Sequence, residues 1–143
     1  MGLIRLCPCD CSGSVTITNQ ISPDEQATLI ADICPDCEGG GTATYTEVQN
    51  QTTTLSFIAT NIGPTSCITN GDELLSVAGE GNITTSIGTF PATFTISFYE
   101  AAREDIEDIA IINIHWFDAG VPNLRQRQFT VLPKTLLTIT DCP

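Results

Sequence analysis

Apolar and polar residues alternate with a period of two in five stretches of the chain. These are Val15 and Ile17 in SVTIT, Leu55 and Phe57 in TTTLSFIATN, Phe94, Ile96 and Phe98 in ATFTISFY, Phe129 and Val131 in QFTV, and Leu137 and Ile139 in TLLTIT. Successive strand side chains point to opposite faces, so each stretch predicts a strand with one apolar face and one hydroxyl-rich face. Between them lie turn-forming segments: Ser22-Pro23-Asp24, Gly39-Gly40-Gly41, Asn61-Ile62-Gly63-Pro64, Asn70-Gly71-Asp72, Gly79-Glu80-Gly81-Asn82, Gly120-Val121-Pro122-Asn123 and Leu132-Pro133-Lys134. Turn signals recurring about every 8–12 residues predict an all-β domain, a jelly roll or β-sandwich of about eight strands.

Two segments pull the other way. Ser22-Pro23-Asp24-Glu25 carries the serine, proline and glutamate of a helix start, but the β-branched residues and Cys34-Pro35 after it favour a turn feeding a strand. Glu100 to Asp108 has helix-forming composition, yet it sits between two strand-like runs, where an acidic connecting loop with at most one helical turn suffices. Residues 1–13 show no such alternation and hold Cys7, Cys9 and Cys11, with Gly13 between two serines as a joint. The expected organisation is a flexible N-terminal connector arm, 1–13, and a single jelly-roll domain, 14–143.

The Thr-, Ile- and Val-rich composition adds to the β reading, and 143 residues are enough to bury a core without covalent help. Seven cysteines therefore need another explanation. The chain carries five Lys+Arg against seventeen Asp+Glu, a formal charge of −12. That repels phosphate backbones and anionic membrane surfaces, so no nucleic-acid partner is expected. The longest apolar run, Ile109 to Phe117, is interrupted by Asn113 and His115 and is too short to span a bilayer. No membrane insertion is expected, and the N-terminus lacks the apolar run of a secretory signal.

Catalytic patterns are sparse. The single histidine, His115, lies beside Trp116 in a strand-like run and reads as a packed or rim residue. The acidic group Glu100, Glu104, Asp105, Glu107 and Asp108 lacks the ligand spacing of a calcium loop and reads as a solvated loop. The expectation is a non-enzyme with no cofactor.

The cysteines carry the most information. They fall as Cys7-x-Cys9-x-Cys11, Cys34-Pro35-Asp36-Cys37, Cys67 and Cys142. Zinc held by Cys9, Cys11, Cys34 and Cys37 is one reading, although C-x-C is not the usual half of a zinc knuckle. A thioredoxin-like Cys34/Cys37 pair lacks a βαβ frame. Full pairing inside one chain fails on parity, because seven is odd. The remaining reading makes Cys7, Cys9 and Cys11 donors of intersubunit disulfides to a neighbouring copy, with Cys34, Cys37, Cys67 and Cys142 as candidate acceptors. Cys34 and Cys37 could instead bridge locally or hold metal. The connectivity stays open at this level.

Cys7-Pro8-Cys9-Asp10-Cys11 followed by Ser12-Gly13-Ser14, SVTIT at 14–18, and RQFTVLPKTLLTIT at 127–140 resemble the endospore appendage pilus subunits of spore-forming Bacillota. The likeness covers the two ends of the chain. It implies a jelly-roll subunit with a cysteine-bearing connector, disulfide-linked into robust fibres on the spore surface, and a donor role for Cys7, Cys9 and Cys11. The expected function is thus a structural subunit of an extracellular filament, a homopolymer with copies of itself built by β-augmentation. Two alternatives remain: a zinc-stabilised β binding module, and a secreted jelly roll binding carbohydrate or a receptor around Trp116 and Tyr99.

Overall fold

The computed structural model describes residues 9–142. Ten strands form one antiparallel sheet: β1 (Cys11–Ser22), β2 (Glu25–Ile33), β3 (Gly41–Gln49), β4 (Thr52–Ile62), β5 (Ser66–Asn70), β6 (Asp72–Thr85), β7 (Gly88–Glu100), β8 (Asp108–Asp118), β9 (Val121–Val131) and β10 (Leu137–Asp141). The all-β expectation holds. Four of the five alternating stretches fall wholly in strands and the fifth, TLLTIT, enters β10 at Leu137 after a short 3-10 turn; the two contested segments are a hairpin turn into β2 and a loop between β7 and β8. The pairing order is β10-β1-β2-β3-β4-β6-β7-β8-β9, with short β5 alongside β6. Apart from β6 taking the place of β5 beside β4, and β10 returning to β1, chain neighbours are sheet neighbours, the pattern of a meander, whereas a jelly roll pairs strands distant in sequence.

The sheet curls until its ends approach. β9 runs beside β8, and at Thr130 its N–H reaches the Asn19 side-chain oxygen of β1 at 3.3 Å once that amide is turned to satisfy both its atoms. The chain then turns through a cis Leu132–Pro133 bond, and β10 takes up pairing with the first half of β1. Inward rows fill the interior: Val15 and Ile17, Leu29 and Ile33, Tyr45, Phe57, Leu75 and Ile83, Phe94, Ile96 and Phe98, Ile112 and Ile114, Phe129 and Val131. Gly79 and Gly81 on β6 make room for this packing. A Cβ at Gly79 would stand 2.1 Å from the Asn61 carbonyl, and one at Gly81 2.7 Å from the Phe57 ring. Phe57 and Phe94 meet edge to face over these positions, with centroids 5.3 Å apart.

The two ends of this curled sheet differ. At one, four two-residue hairpin loops join β1–β2, β3–β4, β6–β7 and β8–β9. Asn50 and Gln51, and again Ala119 and Gly120, adopt the paired positive φ values that fit a type I′ turn to twisted strands. The longer connections and both ends of the described chain gather at the other, which we call the clasp end.

The expected boundary at residue 13 does not survive. β1 begins at Cys11, and Gly13 is packed: a Cβ there would lie 2.7 Å from Leu75 Cδ1 and 2.9 Å from Phe98 Cδ2. Gly13 permits close approach of β1 to the opposite wall; it is no joint.

Candidate functional site

Three disulfides hold the clasp end: Cys9–Cys34, Cys11–Cys67 and Cys37–Cys142, with Cα separations of 6.5, 6.2 and 5.8 Å. They join the start of β1, the loop after β2, β5 and the end of β10. Hydrogen bonds reinforce the same junction. Thr65 Oγ1 donates to Cys11 O at 2.7 Å, and Cys142 N donates to Asp10 O at 3.0 Å. Cys34, Asp36 and Cys37 all have positive φ in the loop that leads to three glycines, where Cys34 N donates to Gly40 O at 2.8 Å.

This corrects the donor assignment for Cys9 and Cys11. Both are buried and bonded within their own chain, to Cys34 and Cys67. The physical reason is parity along the strand: Cys9, Cys11, Gly13, Val15 and Ile17 occupy one inward-facing row, so the period of two extends further back than the apolar residues alone reveal. Of the expected acceptors, Cys34 and Cys67 take up Cys9 and Cys11 of this same chain, and Cys37 and Cys142 bond to each other. A thiolate zinc site from Cys9, Cys11, Cys34 and Cys37 is excluded by the same bonds. Cys7 lies outside the described residues.

Beside the clasp, the inward rows of β6, β7 and β8 end in carboxylates. Glu73 follows Leu75 outward along its row, Glu100 follows Phe98, and Asp108 precedes Ala110. Glu73 and Glu100 are direct cross-strand partners, an arrangement of like charges that is unfavourable by itself. With Lys134, Glu104 and the adjoining loops they line a cavity of about 520 Å³. Asp108 is only 1% exposed; its Oδ1 accepts from Ala101 N at 2.9 Å and lies 3.1 Å from Lys134 Nζ. Lys134 also donates to the carbonyls of Ala101, Arg103 and Ile106, which fixes the loop between β7 and β8. Burial raises the carboxyl pKa of Glu73, with a further push from Asp141. Burial also raises that of Glu100, helped by Asp108 and Glu73 and opposed by the Ile139 N–H and Lys134. At the rim, Asp72 is held below the usual carboxyl range by the Ala102 N–H and the Tyr99 hydroxyl.

Toward the hairpin end, the interior carries a compensated charge. Glu47 is 3% exposed and accepts from the Tyr45 hydroxyl, while Arg125 Nε and Arg127 Nη2 approach its Oε2 at 3.2 and 3.6 Å. Burial and the bond to Glu47 raise the Tyr45 phenol well above its ordinary value.

The remaining sequence candidates are dispersed. His115 is exposed on the outer face between Thr93 and Leu124. Trp116 is 9% exposed and belongs to the core, and Tyr99 is tied to Asp72, so the two do not form an exposed aromatic platform. Glu104, Asp105 and Glu107 are exposed as expected of a solvated loop, but Asp108 is not. Comparison with protein-family models, with curated proteins and with solved structures finds no match. Three disulfides mark a chain that folds in an oxidising, extracellular-type environment. Among the described residues no helix is long and apolar enough to cross a membrane.

Proposed function

We propose that the chain is a non-catalytic structural subunit of an extracellular filament on a cell or spore surface, assembled from copies of itself. The observation that carries this reading is the edge of β9. Among the described residues that strand ends the pairing path of the sheet with β8 as its only laddered neighbour, so its first half offers a row of backbone donors and acceptors. Large apolar side chains are exposed there: Val121 at 60% and Leu124 at 55% on β9 itself, and Phe117 at 66% on β8, opposite Pro122. An edge of this kind accepts a strand from another molecule, and apolar cover beside it rewards the contact.

Parity supplies the covalent part. Six of the seven cysteines are joined in three internal bridges, which leaves Cys7 as the cysteine that can bond to another copy. One such thiol per chain links subunits in pairs, so strand addition at β9 carries propagation and Cys7 staples it. The likeness of the two chain ends to endospore appendage subunits supports the same reading.

The test is electron microscopy together with denaturing gels run with and without reductant. Wild type is expected to form fibres and to give a disulfide-linked dimer that collapses to about 15.3 kDa on reduction. Cys7→Ser should lose the dimer. Val121→Lys with Leu124→Lys should lose the fibres while keeping the dimer. Wild-type protein that stays monomeric at all concentrations, or forms only discrete oligomers, sinks the proposal.

A further inference from the structure

We propose that the acidic cavity at the clasp end is a binding site for an alkylammonium or guanidinium group. The inference concerns a single folded chain and does not depend on filament formation.

The two ends of the interior treat inward-facing carboxylates differently. Near the hairpin end one carboxylate, Glu47, meets two arginines. At the clasp end Glu73, Glu100 and Asp108 terminate three adjacent inward rows, and Glu104 adds a fourth carboxylate to the cavity lining against Lys134 alone. That lysine is already committed: besides Asp108 it serves three backbone carbonyls, more acceptors than an ammonium has protons. Two carboxylate oxygens are consequently left buried without a hydrogen-bond partner, Glu73 Oε2 and Asp108 Oδ2, and both residues line this same cavity. Burying an anionic oxygen unpaired is costly, and the cost falls when a donor-bearing cation enters. The raised carboxyl pKa values of Glu73 and Glu100 are the titration counterpart of this shortage.

The geometry also selects the kind of cation. Among the described residues no three acidic, histidine or cysteine side chains converge closely enough to coordinate one metal ion. A space of about 520 Å³ bordered by separated carboxylates suits a multi-atom cation whose several N–H groups reach different oxygens. The source the geometry points to is a free small cation, since Arg103 pairs with Asp105, Arg125 and Arg127 with Glu47, and Lys134 with Asp108.

The experiment is an amide-shift NMR titration of the full chain with arginine amide at fixed ionic strength. Citrulline amide, which has nearly the same shape and no side-chain charge, is the control. Saturable shifts at Glu73, Ala101, Ala102 and Thr135 with arginine amide and none with citrulline amide are expected. Glu73→Gln with Glu100→Gln should weaken binding at least tenfold. Absence of saturation, or equal response to citrulline amide in wild type, overturns it, as does undiminished binding by the folded double variant.

Discussion

Cys37 is bonded to Cys142 across 105 residues of sequence, so the loop after β2 and the end of the last strand form one covalent junction. The bridge secures β10, a five-residue strand that pairs only with β1 and whose far end would otherwise be free to fray. Long-range bridges stabilise largely by restricting the unfolded chain. For a loop of this size the chain-entropy estimate is about 4.7 kcal/mol. Replacing both cysteines by serine is expected to lower the denaturant midpoint accordingly, and hydrogen exchange should locate the loss first in β10 and the 34–41 loop.

The N-terminal boundary yields a sharper test. Removing residues 1–8 leaves all three bridges and the pairing of β1 with β10 in place. Removing residues 1–12 takes away Cys9 and Cys11 and the first two residue pairs with β10, so the melting temperature should fall much further than in the shorter truncation. Equal stability of the two truncations would return Cys9 and Cys11 to the arm.

Gly13→Ala distinguishes a joint from a packed strand residue. The added methyl meets Leu75 and Phe98, both fully buried and unable to swing into solvent. Overpacking of this kind costs about 1–3 kcal/mol, measurable by chemical denaturation, whereas alanine at a flexible joint would be neutral or mildly stabilising.

Removing the carboxylate of Glu47 exposes what the arginines contribute. Glu47→Ala leaves Arg125 and Arg127 facing each other without their shared partner and deprives the buried Tyr45 hydroxyl of its acceptor. A loss of about 2–3 kcal/mol is expected, below the cost for fully buried pairs because both arginines keep some contact with water.

The acidic cavity predicts an inverted response to pH. Burial holds the carboxyl pKa of Glu73 and of Glu100 above the ordinary value when folded; Asp141 adds to the rise at Glu73, and Asp108 and Glu73 add to it at Glu100, where the Ile139 N–H and Lys134 oppose it. Between the ordinary and the raised value the folded state therefore holds more protons than the unfolded one, and these two groups make stability rise as pH falls through that window. Glu73→Gln should be more stable than wild type at pH 7, with the difference shrinking as the pH approaches the ordinary value of 4.5. Asp72 acts oppositely: its lowered value contributes stability that is lost only as pH falls through that lower range.

The β architecture was legible because alternation is a local property. Val15 and Ile17, or Phe94, Ile96 and Phe98, declare an inward face without reference to any other strand. The same rule, applied to non-apolar residues, would have found more. Cys9 and Cys11 continue the row of Val15, and Glu73, Glu100 and Asp108 continue those of Leu75, Phe98 and Ala110. Cysteine and carboxylate do not register as apolar, so a search for alternating hydrophobicity stops one or two residues short of where the strands do. The acidic run from Glu100 to Asp108 likewise looked uniformly solvated, although its two ends point inward and only its middle faces water.

By itself the sequence determined that the chain is all-β, where most of its strands lie, which segments turn, and that an odd number of cysteines cannot all pair within one molecule. Only the tertiary structure decided which strands pair, that Cys9 and Cys11 bond inward, and that carboxylates from three strands line one cavity with Lys134. Periodicity constrains which face a side chain occupies, but which faces meet depends on how the sheet curls. That curl is set by contacts between residues tens of positions apart, which no local pattern encodes.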